Sequence, residues 1–94
     1  MLTVIARPTV DPAKLADVKE AMLELVTASR KEAGCLLYEL HQDNEHSNRF
    51  TFIELWSNRE AWQTHMQNEA ITAFNKKISG AIINFELQEM TKIA

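Results

Sequence analysis

The sequence predicts an α+β fold in the order β-α-β-β-α-β, an antiparallel sheet with its helices on one face. Three observations predict it. Residues 2–7, 35–43, 49–56 and 83–88 are rich in β-branched, aromatic and other apolar residues with the period of a strand. Two longer segments repeat apolar residues at three- and four-residue spacing, the period of a helix. The two middle strands are joined only by the polar loop Asn44-Glu45-His46-Ser47-Asn48, so they pair as an antiparallel hairpin. The order is that of the split βαβ, or ferredoxin-like, arrangement.

Taken in order, Leu2-Thr3-Val4-Ile5-Ala6-Arg7 is the first strand, and Pro8, which cannot donate to a ladder, is expected to end it. Asp11-Pro12 reads as an N-cap followed by proline at the first helical position. Leu15, Val18, Met22, Leu25 and Ser29 then mark one face of a helix over about 12–32. Arg30 and Lys31 complement its negative end, and Gly34 suits a left-handed cap. In the hairpin, Tyr38 alternates with Leu36 and Leu40, and Glu54 with Phe50, Phe52 and Trp56. Ser57-Asn58-Arg59-Glu60 reads as a capping box with Ser57 at the cap. Ala61, Trp62, His65 and Met66 line the inward flank of the second helix. Ile71, Phe74 and Ile78 continue it past a break near Gln67-Asn68, and Gly80 closes it. Ile83, Phe85 and Leu87 alternate with Asn84, Glu86 and Gln88 in a half-buried last strand.

Ninety-four residues with 46% hydrophobic and 24% charged content suit one globular domain, residues 1–94. A net charge of −3 without a basic cluster argues against a nucleic-acid surface. No apolar run approaches the roughly 18–20 residues that span a membrane, and the first residues lack the form of a signal peptide. The single cysteine, Cys35, fits a reducing compartment, and the expected location is cytoplasmic. Both faces of the hairpin are apolar, with Leu36, Tyr38, Leu40, Phe50 and Phe52 set against Cys35, Leu37, Ile53 and Leu55. No further helix can cover a second face, so a second copy of the chain is expected to do so, as a homodimer.

His65, on the inward flank of its helix, is either a satisfied seam residue or a general base. Glu54 lies between Ile53 and Leu55 on an apolar strand, where a carboxylate needs a partner or a purpose. It is either in a structural ion pair, with Arg7 or Arg59, or a group that holds the histidine or a substrate hydroxyl. Tyr38 is a buried ring whose hydroxyl needs a partner. Trp56 and Trp62 are core residues or aromatic walls. Arg7 is an exposed strand-end charge or the closure of a pocket for an anion. His41, Asp43, Glu45 and His46 match no fixed metal motif, and no metal site is expected.

The sequence resembles the antibiotic biosynthesis monooxygenase family of dimeric α+β barrels over essentially the whole chain. The resemblance is carried by M-L-T-V-I-A at the start, E-A-G-C-L-L-Y-E-L-H-Q-D at Glu32–Asp43 and F-I-E-L-W-S-N-R-E-A-W-Q-T-H at Phe52–His65. It implies a cofactor-independent monooxygenase that oxidises a quinol- or anthrone-like aromatic with dioxygen, using neither metal nor flavin. In those terms His65 takes a proton, Glu54 or Tyr38 positions it or the substrate oxygen, and Trp56, Trp62, Phe52 and Phe74 form the slot. The haem-degrading relatives are a poorer match, because Asn75 stands where their axial histidine falls. An isomerase of a phosphorylated sugar, for which Arg7 and Arg59 are the nearby cations, and a non-catalytic binding or stress-related dimer are the alternatives.

Overall fold

The computed structural model describes all residues, 1–94. Its elements are β1 (Leu2–Val10), a 3₁₀ turn (Pro12–Lys14), α1 (Leu15–Ser29), β2 (Cys35–Gln42), β3 (Phe50–Trp56), α2 (Arg59–His65), α3 (Glu69–Lys77) and β4 (Ile82–Met90). The four strands form one antiparallel sheet in the order β2-β3-β1-β4. The helices pack on one face of it, as expected, with the second helical segment divided in two. Val4, Met22, Leu25, Phe52 and Trp56 lie in the core between the layers. No helix is long and apolar enough to cross a membrane.

β1 runs through Pro8 instead of ending there. The Val10 N–H donates to the Asn48 carbonyl at 2.8 Å, on the β3 side. Pro8, two residues earlier, turns its nitrogen the same way. Pairing with β3 has already stopped at Ala6–Phe52 and returns only as the bridge Thr9–Arg49. The missing donor falls in that gap, and pairing with β4 continues across Pro8–Phe85.

α1 is shorter at both ends than 12–32. Asp11 accepts from the Ala13 N–H at 3.0 Å and Pro12 opens the first turn, which is 3₁₀. After Ser29 the chain tightens, with the Lys31 N–H on the Ala28 carbonyl at 3.2 Å and the Glu32 N–H on the Ser29 carbonyl at 3.1 Å. Gly34, at φ +81°, then turns the chain into β2.

In β2, Cys35 pairs with Trp56 but Leu37 pairs with Leu55, so the register slips by one at Leu36. Leu36 is a bulge residue, 53% exposed, and does not share the face of Tyr38 as strict alternation required. Asn58, not Ser57, caps α2, accepting from the Ala61 N–H at 2.8 Å. Ser57 is occupied elsewhere, since its N–H donates to the Gly34 carbonyl at 2.8 Å. Asn68 caps α3 through the Ile71 N–H at 3.0 Å, which is the break near Gln67-Asn68.

The sheet face away from the helices presents Ile5, Leu37, Ile53, Leu55 and Met90. β4 is more open than a half-buried strand. Phe85 and Leu87 face the helix side, opposite Pro8 and Ala6, yet remain exposed beyond the helices.

Gly34 is where two backbones meet. A Cβ there would lie 2.6 Å from the Ala61 Cβ and 2.8 Å from the Ser57 Oγ, at a φ that disfavours any side chain. Gly34→Ala is expected to cost about 1–3 kcal/mol in urea denaturation. A change within error would mean that the turn and α2 separate without cost.

Candidate functional site

Between the helices and the sheet lies an apolar cavity of about 220 Å³. Leu25, Phe52, Trp62, Ile71, Phe74 and Phe85 are among its apolar wall residues, and Tyr38, Glu54, His65 and Asn75 are its polar groups. A larger groove of about 810 Å³ on the molecule's other side is polar and shallow, and its Arg7, His41, Asp43, Arg49 and Glu86 are all exposed. Of the two, the smaller cavity combines apolar walls with buried titratable groups, so the candidate site is there.

Strand alternation puts Glu54 in it. Phe50, Phe52, Glu54 and Trp56 are the buried residues of β3. The Glu54 side chain is 5% exposed, and neither arginine answers it. Arg7 donates to Gln88 Oε1 at 2.6 Å on the opposite face, and Arg59 pairs with Glu89. The expected ion pair is absent because β1 turns Ala6 and Pro8, not Arg7, toward the helices. Glu54 instead accepts from Trp56 Nε1 at 3.0 Å. Burial pushes its carboxyl up to about 7; the Trp56 bond opposes the shift and the nearby Glu32 charge adds to it.

His65 closes α2 with its side chain 1% exposed. Its Nδ1 lies 2.7 Å from Glu32 Oε1, and its Nε2 lies 4.0 Å from Glu54 Oε1. A carboxylate only accepts, so Nδ1 carries the hydrogen and, in the neutral ring, Nε2 keeps its lone pair on the Glu54 side. Burial lowers the imidazole pKa, against the pull of Glu32. The ring lies 4.8 Å from that of Trp56 and 5.5 Å from that of Tyr38. Burial, and then the Glu54 charge, push the Tyr38 hydroxyl well above its ordinary range, so it remains a phenol.

The cavity thus gathers His65, Glu54, Tyr38, Trp62, Phe52 and Phe74. Trp56 is fully buried behind Glu54 and is not part of the wall. Arg7 cannot close this cavity, because β1 turns it to the opposite face of the sheet. Sequence reasoning missed Glu32 as a site residue. Its signals were its place at the head of the Glu32–Asp43 motif and a carboxylate two residues before a glycine cap, in a turn whose destination only the fold reveals. Trp62 Nε1 and Glu32 Oε2 are buried and without hydrogen-bond partners. No group of three or more His, Cys, Asp or Glu is gathered to hold a metal ion.

Residues 1–77 match the family model described as antibiotic biosynthesis monooxygenase. A solved structure described as an antibiotic biosynthesis monooxygenase superposes with TM-score 0.95 at 30% identity, covering 100% of both chains. A Pseudomonas aeruginosa protein of known structure superposes with TM-score 0.94 at 33% identity, covering 99% of this chain and 94% of its own. An uncharacterized protein of Synechocystis is 35% identical over 65 residues, or 65% of this chain, which spans 44% of that relative's length.

The raised Glu54 pKa has a thermodynamic consequence. Between pH 4.5 and about 7 the folded chain binds the more protons at this group. Its stabilising contribution is therefore complete below that window and is lost as pH rises through it. Glu54→Gln does not titrate, so its stability relative to the parent should improve across the window by up to about 3 kcal/mol. Urea midpoints at fixed pH measure this, and a pH-independent difference would mean that Glu54 ionises as freely in the fold as in the unfolded chain.

Proposed function

This chain belongs to the antibiotic biosynthesis monooxygenase family, and from that membership we propose that it oxidises a quinol- or anthrone-like aromatic with dioxygen, using neither metal nor flavin. The observation that carries the reading is the 4.0 Å separation of His65 Nε2 and Glu54 Oε1 in the wall of an apolar cavity. That is too long for a direct hydrogen bond, and it leaves room for a substrate hydroxyl oxygen within reach of both groups.

In the proposed reaction His65 Nε2 removes the hydroxyl proton. The electron-rich phenolate gives one electron to dioxygen, and the resulting radical pair joins as a ring peroxide, which takes the proton back from His65 to become a hydroperoxide. Glu54, which titrates near neutrality, in its acid form protonates the departing oxygen as the O–O bond breaks, so that water leaves and one oxygen atom stays on the ring. The hydrogen of the oxygenated ring carbon leaves as a proton that restores the Glu54 acid, so both hydrogens of the water come, in net, from the substrate. Phe52, Phe74 and Trp62 hold the flat ring and keep water from the radical pair.

The phosphorylated-sugar reading finds no support in the lining, which contains neither lysine nor arginine. Haem does not fit these residues either. Asn75 is the polar residue that α3 supplies, and His65 is held at Nδ1 by Glu32 and faces Glu54 across 4.0 Å. The second part of the proposal is a homodimer in which the face bearing Ile5, Ile53 and Leu55 packs against its copy.

Two measurements test these readings. Metal-stripped protein should consume dioxygen above the autoxidation background with a hydroquinone or anthrone from a small panel, and His65→Ala should lower kcat/KM by about 10²–10⁴. Turnover unchanged in the variant would remove histidine from the chemistry. Sedimentation should give twice the chain mass, and Leu55→Glu should halve it by placing a charge in the dry face. A parent that sediments as a single chain would refute the dimer.

A further inference from the structure

We infer that Glu32 is the positioning residue of this site: its carboxylate holds the His65 ring as the Nδ1–H tautomer and so turns the Nε2 lone pair toward Glu54 and the cavity. The catalytic meaning of that hold rests on His65 as the base; the hold itself does not.

Two carboxylates flank one imidazole, and only one is within bonding distance. Glu32 Oε1 stands 2.7 Å from Nδ1, a charge-assisted length, whereas Glu54 Oε1 stands 4.0 Å from Nε2. The opposite tautomer would carry its hydrogen on Nε2, facing Glu54. The electron pair that a substrate proton needs would then be missing from the cavity side.

Glu32 is also built into place. Its N–H donates to the Ser29 carbonyl at 3.1 Å, and its own carbonyl accepts from the Cys35 N–H at 3.1 Å. Two residues on, Gly34 is bonded to Ser57 and packs against Ala61. His65 follows Ala61 by four residues, on the same face of α2. The turn bearing the carboxylate is thus fastened to the helix bearing the ring. No other contact accounts for where the carboxylate sits, since Glu32 Oε2 is buried without a hydrogen-bond partner. The Glu32 side chain is 19% exposed against 5% for Glu54, so Glu32 is the less desolvated carboxylate of the two beside the ring.

Ring ¹⁵N–¹H correlation spectra of the labelled protein at pH 8 read the tautomer directly, with the His65 signals assigned by their loss in His65→Ala. The parent should show Nδ1–H. In Glu32→Ala the Nε2–H form should become the major one. With the hydroquinone giving the fastest dioxygen uptake, kcat should fall about 10²–10⁴-fold while KM changes little.

Glu32→Gln guards against misfolding of the alanine variant. Its amide oxygen can still accept from Nδ1, so the tautomer should persist. The charge is gone, however, and the imidazole midpoint followed by the same signals should fall by about one pH unit. Glu54, Tyr38 and Cys35, the other titratable groups near the ring, are unaltered in that comparison.

A ring that stays Nδ1–H in Glu32→Ala, or an unmoved midpoint in Glu32→Gln, overturns the assignment whatever the turnover. A changed tautomer with undiminished turnover supports the hold of Glu32 on the ring and instead refutes His65 as the base.

Discussion

The structure depends on burying a carboxyl group, Glu54, with no cation beside it. Taking an ionised carboxylate out of water without a partner is prohibitive, and proteins avoid it by neutralising the group. Here Arg7 and Arg59 are engaged by Gln88 and Glu89, and the one direct donor to Glu54 is the Trp56 indole. The carboxyl therefore holds its proton to about pH 7. That single fact links layers of the fold that are otherwise independent. The strand can keep its alternation, Trp56 acquires a partner for its buried N–H, and the imidazole opposite need not be charged for the core to be stable.

His65 faces the same constraint from the other side. Burial disfavours its charged form, and Glu32 partly offsets that penalty. The three groups lie in a row across the seam between helix and sheet, with spacings of 2.7 Å and 4.0 Å. The short contact fixes the ring and the long one leaves an opening. A chain of polar residues that served only to satisfy itself would be closed at both ends. This one is closed at Glu32 and open at the cavity, between Nε2 and Glu54.

Much of this was legible in the sequence, and the reasons for the rest are physical. Element order follows from periodicity, which is local, and so does the placement of Glu54 with Phe52 and Trp56. Arg7 was legible by the same parity argument once Ala6 and Pro8 are recognised as the inward residues, but strand parity has no origin until the sheet supplies one. Leu36 was not legible: a bulge costs one residue of register and leaves no mark on an unbroken apolar run. Pro8 misled because its missing donor matters only where a neighbouring strand waits for it. Ser57 and Asn58 are both good caps, and the choice between them was made by Gly34, which takes the Ser57 N–H. Glu32 was out of reach for the same reason. Its bond to His65 spans 33 residues and depends on the close approach of two backbones at Gly34.

The same row of groups suits the proposed chemistry in an apolar cavity. Such an oxidation first removes a proton and later returns one, and in between no solvent should reach the radical pair. A base alone would have to exchange with bulk water in every cycle. A neutral imidazole facing a carboxylic acid that titrates near 7 can accept one proton and release another without either leaving the cavity. The phenol of Tyr38, held well above neutrality, does not compete for either. In the proposed reaction the asymmetry between the carboxylates makes the pair directional: Glu32, 2.7 Å from Nδ1, would fix the tautomer, and Glu54, 4.0 Å from Nε2, would leave a place for the substrate.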